Sequence, residues 1–287
     1  MSTQITTAFV NQYSSNINLL SQQKPSKFAP CVRMESVRGE QAFFEQIGAV
    51  EAQPWGARHS DTPLMDTPHA RRQVQMNAFN WADLIDDPDK VRMLIDPTSS
   101  YATNAVYAFN RKKDDIILAA ALADAKTGKD GMTIVPLPAT QKIVAGGTGL
   151  TLEKLRETRR KFKDADLDDD IPLYFAMSPA QEDDLLGLEE VTSADYNTIR
   201  ALVRGDVDTF MGFKFVRSTR VAWAANTRSC VAWAKDGLLL ATGRDIRTRI
   251  SERDDKNYST QVFCSMDLGA TRMEEVKVVQ IDCTEVH

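Results

Sequence analysis

The stretch Ile171–Ser218 constrains the fold more than any other part of the chain, because turn residues separate each of its apolar segments. Its first apolar run, LYFAM, has the length of a strand. Ser178 then suits the N-cap of a helix, Pro179 suits its first turn, and Gln181 stands where a capping-box partner reaches back to the cap. Gly187 is expected to end that helix.

The second half of this stretch predicts another helix and a returning strand. A helix is predicted to begin near Thr192 or Ser193, and Gly205 suits its left-handed cap. The apolar face of this helix is formed by Tyr196, Ile199, Leu202 and Val203. After the turn at Gly205-Asp206, residues 210–216 are predicted to form one strand, with a close backbone approach at Gly212.

The composition is that of an ordinary globular protein large enough to bury a sizeable core. The chain has 287 residues, of which 43% are hydrophobic and 26% are charged, and its formal net charge is -5. This charge gives no electrostatic argument for wrapping DNA directly. Four scattered cysteines without CxxC spacing indicate reduced thiols, and the polar N-terminus and lack of a long apolar window predict no membrane contact.

The first 36 residues are rich in Ser, Thr, Asn and Gln and predict an N-terminal arm. Phe9, Tyr13 and Ile17 recur at helical spacing and form one apolar stripe. A terminal segment this polar gains little stability by itself. The arm is therefore expected to reach across to another subunit rather than to dock on its own domain, and the three stripe residues are its predicted contacts.

Residues 37–80 alternate short apolar pieces with Gly, Pro and Asp and predict an extended hairpin loop. Its aromatic and arginine side chains have the chemistry that interfaces between subunits favour. The predicted contacts here are Trp55, Arg58, Arg71 and Arg72. His59 and His69 lie on the same loop, but two histidines on a proline-broken segment do not make a metal site.

The strongest helix signal runs from about 97 to 125, after an acidic stretch at 81–89. Asp96 suits its N-cap, Pro97 suits its first turn, and apolar residues follow at helical spacing. At ~1.5 Å per residue this helix spans roughly 40 Å, which is long enough to act as a spine. A shorter helix is predicted to begin after the N-cap Thr151.

The chain beyond Ser218 is rich in strand-forming residues. The polar stretch Arg247–Ser259 is predicted to be a loop between two strands, and VKVVQIDC is predicted to be a terminal strand. The aspartates between Asp164 and Asp170 lack the Gly and Glu of an EF-hand loop, so they predict a solvated loop.

No segment of the sequence has the pattern of a catalytic or cofactor site. GxSxG, HExxH, GxGxxG, GxxxxGK[ST] and the protein-kinase signature are all absent. Gly146–Gly149 is therefore predicted to be a loop rather than a phosphate cradle. We predict a protein that is not an enzyme, with no catalytic residue, no cofactor and no metal. Acidic pairs such as Asp183-Asp184 are better explained as an exposed helix face than as acid/base machinery, and a hydrolase that uses carboxylates is the alternative from the enzyme class.

The stretch Ile171–Ser218 resembles a segment of the major capsid proteins of tailed bacteriophages. In that family the order is strand, Asn- or Ser-Pro, helix, Gly, helix, Gly turn and a Gly-Phe strand. The matching residues in this chain are Met177-Ser178-Pro179, Leu185-Leu186-Gly187, Gly205-Asp206-Val207 and Met211-Gly212-Phe213-Lys214-Phe215-Val216. The order of polar arm, extended loop, spine helix and β-rich finish agrees with the family over most of the chain.

The resemblance implies an α+β fold of the Hong Kong 97 type, with an N-terminal arm, an extended loop, a long spine helix and two mixed α/β subdomains. In these terms the arm is 1–36 and the extended hairpin loop is 37–80. The peripheral subdomain with the spine helix is 81–150, the axial subdomain is 151–260, and 261–287 returns to the peripheral subdomain. In the family the last strand packs beside the spine helix.

The resemblance also implies a function. The chain would be the major capsid (head) protein of a tailed double-stranded DNA phage, a homo-oligomer whose hexamers and pentamers form an icosahedral shell. Scaffold, portal and decoration proteins would be further partners, and the packaged DNA would lie on the inner face without sequence-specific contact. The protein would be assembled in the host cytoplasm and reside in the virion. An encapsulin-like cellular compartment shell is the alternative within this fold.

Overall fold

The computed structural model of the chain describes residues 22–54, 58, 61, 64–86, 98–168, 170–187 and 209–285. Within these ranges helices and strands are mixed along the chain, and the strands form three sheets. This confirms the expected α+β fold class. The helices are α1 (Thr98–Leu122), α2 (Leu152–Asp164) and α3 (Pro179–Leu186). Every helix in the described ranges is too short or too polar to span a bilayer.

The strands of the described ranges are short in the first half of the chain and include two long ones near its end. They are β1 (Arg33–Ser36), β2 (Gln41–Ile47), β3 (His69–Gln75), β4 (Asn77–Ile85), β5 (Ala125–Thr127), β6 (Thr133–Val135), β7 (Lys142–Ile143), β8 (Leu173–Met177), β9 (Thr209–Phe210), β10 (Phe213–Arg217), β11 (Trp223–Ala224), β12 (Thr227–Ala234), β13 (Leu238–Arg253), β14 (Ser259–Arg272) and β15 (Val278–Thr284).

The first sheet has the strand order β1-β13-β14-β4, and α1 packs against it, mainly over β14. Strand β14 turns alternate apolar side chains into the core because successive residues of a strand face opposite sides. These buried residues are Val262, Cys264, Met266 and Leu268. Helix α1 lies within the range 97–125 predicted for the spine helix, and its 25 residues make it the longest helix described.

Two polar segments belong to this sheet, although the sequence does not predict them as strands. Strand β4 includes most of the acidic stretch that begins at residue 81. Strand β13 continues to Arg253, so the loop predicted at Arg247–Ser259 is wrong, and the connection is confined to 254–258. Both strands pair with β14, so backbone hydrogen bonds hold them extended where side-chain hydrophobicity is low.

The second sheet has the order β7-β15-β12-β8-β10-β9, and β11 pairs with β12. The terminal strand β15 lies between β12 and β7, with Ile281 opposite Cys230. The expectation that the last strand packs beside the spine helix is therefore wrong, because β14 has that place. The buried side chains of Val279, Ile281 and Cys283 explain where β15 lies, since they complete the core of this second sheet.

The start of the predicted stretch at Ile171–Ser218 folds as expected. Ser178 is the N-cap of α3, and its capping box with Gln181 is formed on both sides. Pro179 opens the helix, and Gly187 is its C-cap. The helix predicted near residue 192 and its Gly205 turn lie within 188–208, outside the described residues.

The returning strand of this stretch is split in two. A turn at Met211 and Gly212, with φ of 51° and 83°, separates β9 from β10, whereas the sequence predicts one strand. Glycine suits this turn because positive φ costs it little. Strand β10 then runs parallel to β8, with Phe213 opposite Leu173, so the two ends of the stretch meet in the second sheet.

The third sheet, ordered β2-β3-β5-β6, contains the predicted extended hairpin. Strands β2 and β3 pair antiparallel from Gln41 opposite Gln75 to Ile47 opposite His69. One face of β2 packs Ala42 and Phe44 against a small apolar cluster of the body. The opposite face is exposed. The Gly48 N–H donates to the carbonyl of Pro68 at 2.8 Å, one step beyond the pairing of the two strands.

The body of the protein begins earlier than the arm boundary at residue 36 implies. Phe28 is fully buried, and its ring lies 5.8 Å from that of Trp233 in an edge-on contact. Val32 is buried as well, and β1 pairs in parallel with β13 from Arg33 onward. Apolar burial therefore makes residues from about 28 to 36 part of the core rather than part of a projecting arm.

Candidate functional site

The predicted contact residues fall into three groups. Phe9, Tyr13, Ile17 and Trp55 lie outside the described residues. Arg58 is described and exposed. Arg71 lies on the exposed face of β3, where its guanidinium carbon is 5.6 Å from the centre of the Phe43 ring and its Nη2 is 2.7 Å from Glu45. The Arg71 guanidinium thus contacts both the Phe43 ring and the Glu45 carboxylate on the open face of the hairpin.

Arg72 is bound within its own chain, unlike its neighbour. Its side chain points to the opposite face of β3 and is almost completely buried. Its Nε donates to the carbonyl of Met273 at 2.8 Å, and its Nη2 donates to both carboxylate oxygens of Glu275 at 2.5 and 2.6 Å. The alternation of side chains along a strand explains why adjacent arginines have different roles.

The hairpin and the neighbouring edge of its sheet expose large apolar side chains. Leu64 is 95% exposed, Met132 is 85% exposed and Ile47 is 70% exposed, and Val50 and Ile134 are also open to solvent. Scattered apolar residues are normal on a protein surface, but several on one sheet and its hairpin are typical of a surface that another chain covers.

The segment that precedes the body is held along α1 by polar contacts. Gln22 bonds to Asn104 at 3.0 Å and to Arg111 at 2.6 Å, and Asn110 donates to the carbonyl of Lys24 at 2.9 Å. The partners on α1 advance toward its C-terminus as the segment advances toward the body. The segment therefore runs parallel to α1.

Asp114 anchors this segment. Its carboxylate is fully buried and accepts hydrogen bonds from Ser26 Oγ at 2.6 Å and from the backbone N–H groups of Lys27 and Phe28 at 3.1 Å. The side-chain amide of Gln23 donates to it as well. A carboxylate has two acceptor oxygens, so the Asp114 side chain suits this cluster of donors.

Replacing Asp114 by Asn is expected to loosen this anchor, because the new amide places a donor where only donors converge. The expected cost is about 1–3 kcal/mol of unfolding free energy, with faster proteolytic cleavage between residues 22 and 28. Limited proteolysis and urea unfolding measure both effects. Asp115→Asn is the matched control, since the ion-pair partner of Asp115 among the described residues is the partly exposed Arg220. Equal cleavage rates in the two variants contradict the assignment.

Groups that could perform chemistry are few among the described residues. Burial, reinforced by Asp114, raises the pKa of the Cys31 thiol to about 11, so it stays protonated. All four cysteines are free and buried. No group of three or more His, Cys, Asp and Glu side chains in the described ranges could hold a metal ion. His69 is exposed and His59 lies outside the described residues.

The backbone carbonyls at the Gly146–Gly149 loop bind the side chain of Lys154. The Nζ of Lys154 lies within 3.0 Å of the carbonyl oxygens of Ala145, Thr148, Gly149 and Asp282. Helix α2, which begins after its N-cap Thr151 as predicted, places this lysine beneath the loop. The loop therefore directs carbonyl oxygens at its own ammonium group, which is the reverse of a phosphate cradle with its inward N–H groups.

A buried ion pair between Glu285 and Arg228 lies against the start of α3. Glu285 accepts two hydrogen bonds of 2.8 Å from Arg228, one of 3.1 Å from Ser178 Oγ and one of 3.0 Å from Gln181 Nε2. These donors lower the pKa of Glu285 to about 2. Ser178 and Gln181 of the capping box thus have a second role, because both donate hydrogen bonds to the Glu285 carboxylate. The sequence pattern of a capping box does not reveal this role.

A second buried charge connects the third sheet to α1. Arg272 is fully buried at the end of β14. Its Nη1 donates to the carbonyls of Ala121 and Ala123 at 3.0 and 2.7 Å, and its Nη2 donates to the carbonyl of Val135 at 2.9 Å. It thereby satisfies carbonyls that the C-terminus of α1 leaves without helical partners.

These features define a structural subunit: a long helix on a long-stranded sheet, an anchored N-terminal segment, and a hairpin with exposed apolar and arginine side chains. The sequence matches the model of a protein family described as phage capsid protein, over residues 5–285. The chain therefore belongs to the phage capsid protein family. No curated protein matches the sequence.

Solved capsid structures have the same fold. The capsid of the cyanophage P-SCSP1u aligns with a TM-score of 0.72 at 15% identity, covering 96% of this chain and 94% of the other. The capsid of Ralstonia phage GP4 gives 0.74 at 12% identity, with 96% and 95% covered. The capsid of the native GTA particle gives 0.69 at 12% identity, again with 96% and 95% covered. These similarities confirm the predicted Hong Kong 97-like fold.

Proposed function

We infer that the chain is the major capsid protein of a tailed double-stranded DNA phage, and that it assembles as hexamers and pentamers into an icosahedral shell. The observation that carries this inference is the family match from residue 5 to 285, which leaves almost no part of the chain for another function. The three solved structures compared above are capsids of two phages and of a GTA particle, and neither a cellular compartment shell nor a carboxylate hydrolase is favoured.

The exposed surfaces support the assembly of many copies. In this proposal the N-terminal arm and the extended hairpin each reach a neighbouring subunit, with Phe9, Tyr13, Ile17, Trp55, Arg58 and Arg71 as contacts. Many interfaces of modest strength then sum to a stable shell, because each subunit is held by several neighbours at once. The mildly acidic chain suits an inner wall that confines DNA without gripping it.

The proposed subdomains follow the sheets. The peripheral subdomain contains the first sheet and α1, and the axial subdomain contains the second sheet with α2 and α3. Sheet membership favours placing β13 with the peripheral part and β15 with the axial part, rather than dividing the chain at 260. Scaffold, portal and decoration proteins would act as separate partners, with assembly in the host cytoplasm before the shell becomes part of the virion.

Negative-stain electron microscopy and size-exclusion chromatography of the expressed protein test this function. We expect closed shells, rings or tubes from the full chain and loss of closed shells when residues 1–21 are deleted. The deletion stops at 21 because Phe28 and Val32 belong to the core, and their removal would unfold the subunit. A monomer or dimer that stays unchanged under crowding, in the presence of a co-expressed scaffold and after the deletion contradicts the proposal.

A further inference from the structure

Two buried arginines meet at one carboxylate where the third sheet joins the body. Arg72 lies on β3 and Arg272 lies at the end of β14, and both side chains are more than nine-tenths buried. The Nη2 of Arg72 donates to both carboxylate oxygens of Glu275 at 2.5 and 2.6 Å. The Nε of Arg272 is 3.8 Å from Oε1 of the same carboxylate, which is too far for a hydrogen bond.

Each of these arginines has one buried nitrogen without a hydrogen-bond acceptor among the described residues. The two atoms are Nη1 of Arg72 and Nε of Arg272. The other nitrogens are used, because Arg72 Nε donates to the carbonyl of Met273 and both Nη atoms of Arg272 donate to backbone carbonyls. Buried N–H groups in folded proteins almost always have an acceptor, so two such donors beside one carboxylate indicate a ligand that accepts hydrogen bonds.

The charges at this junction favour an anion over a water molecule. Glu275 is the one described carboxylate within ion-pair distance of either arginine, and its side chain is 20% exposed. Asp124 acts on Arg272 from a longer distance and is itself exposed. Burial lowers the pKa of the Arg272 guanidinium, Glu275 opposes this effect, and the positive charge of Arg72 adds to it. Water would accept the two hydrogen bonds but leave the excess positive charge, whereas an anion satisfies both.

We propose that Arg72 Nη1 and Arg272 Nε bind a small monovalent inorganic anion, for which chloride is the probe. The two donor atoms are closed to solvent, which excludes bulky organic anions and favours an ion of the size of chloride or bromide. The ion neutralises the positive charge that Glu275 leaves uncompensated. Because the Glu275 side chain is partly exposed, the ion exchanges with solvent on that side of the junction.

The bound anion connects parts of the subunit that are distant in the sequence. Arg272 joins the C-terminus of α1 to β6 through the carbonyls of Ala121 and Val135, and Arg72 joins β3 to the segment after β14. The unfolded chain does not bring the two arginines together, so the anion binds the folded state alone. A ligand of this kind stabilises the folded state by an amount that grows with the logarithm of its concentration above Kd.

Urea unfolding in two salts tests the site. Sodium chloride replaces sodium isethionate at constant ionic strength, so that screening is constant while the small anion is titrated. For the full chain, we expect the equilibrium constant of unfolding to fall by up to about tenfold for each tenfold rise in chloride above Kd. Equal unfolding midpoints in the two salts overturn the proposal.

Arg72→Gln removes one of the two donors and is expected to abolish the chloride dependence. Arg71→Gln is the matched control, because Arg71 is the neighbouring residue of β3 and its partly exposed side chain pairs with Glu45. This control is expected to keep the full dependence. A purely structural role of Arg72 would lower the stability equally in both salts, so a chloride dependence that persists in Arg72→Gln also overturns the proposal.

Glu275→Gln is expected to have an effect of opposite sign on anion binding. The variant removes the negative charge that competes with the ion for the two arginines, so the Kd for chloride is expected to fall by roughly tenfold. Its stability in isethionate falls at the same time, because two buried charges then lack their carboxylate. An unchanged or weaker chloride dependence in this variant contradicts the assignment of the site.

Anomalous diffraction locates the ion without any variant. We expect crystals of the full chain grown in sodium bromide to contain a bromide within hydrogen-bonding distance of Arg72 Nη1 and Arg272 Nε. A water molecule at this position, or no anomalous peak there, overturns the proposal even where a variant does not fold. These measurements do not depend on the formation of shells, so their outcome is independent of the proposed function.

Discussion

Replacing Arg272 by Met is expected to lower the unfolding free energy of the subunit by about 3–5 kcal/mol, because the change breaks a buried charge cluster. Methionine has a similar volume but no donors. The carbonyls of Ala121, Ala123 and Val135 then lose their hydrogen bonds from the buried guanidinium, and that of Ala121 loses it at a buried position. Glu275, which Arg72 also binds, loses a second positive charge 3.8 Å away.

Urea unfolding of the soluble subunit measures this loss. Arg156→Met is the matched control, because it removes the same side chain from the exposed surface of α2 and is expected to change stability by less than about 0.5 kcal/mol. A loss below about 1 kcal/mol for Arg272→Met would mean that the surrounding carbonyls find other donors, and it would contradict the role assigned to this arginine.

Glu285→Gln is expected to destabilise the subunit by about 3 kcal/mol at neutral pH, because the carboxylate pKa falls from an ordinary value near 4.5 to about 2 on folding. Hydrogen bonds from Arg228 are the largest cause, and Gln181 and Ser178 add to it against the cost of burial. Glutamine keeps the shape but removes the charge and turns a donor toward the arginine.

The pH dependence distinguishes this carboxylate from a merely well-packed side chain. A carboxylate with a lowered folded-state pKa contributes its stability above pH 4.5 and loses it as the pH falls toward 2. The difference between wild type and Glu285→Gln is therefore expected to fall below half its neutral value by about pH 3. A difference that does not change with pH contradicts the assignment. Glu35→Gln, at an exposed pair, is the control.

Local signals in the sequence predict local structure well in this protein. Ser178, Pro179, Gln181 and Gly187 define α3 because capping depends on residues a few positions apart. The apolar spacing of the long helix likewise predicts α1. The resemblance to phage capsid proteins rests on the same short-range pattern, and the family match and the fold confirm it.

Non-local pairing accounts for what the sequence does not predict. Strand β13 beyond Thr242 has few apolar residues to mark it as a strand, and only its pairing with β14 makes it one. The position of β15 beside β12 depends on partners far away in sequence. The order of the elements along the chain therefore led to the wrong expectation that the last strand packs beside the spine helix. For the contact residues, Arg71 and Arg72 look alike in the sequence, and only the register with β2 separates the exposed side chain from the buried one.

The anchor at Asp114 limits how far one subunit can extend its N-terminal segment. Residues 1–21 can span at most about 75 Å when fully extended, measured from a fixed origin on the spine helix. Such a tether confines the search for a partner to a small sphere, within which the effective concentration of a neighbouring subunit is high and that of distant subunits is zero. Under the proposed function, contacts made by residues 1–21 are therefore restricted to copies within that reach.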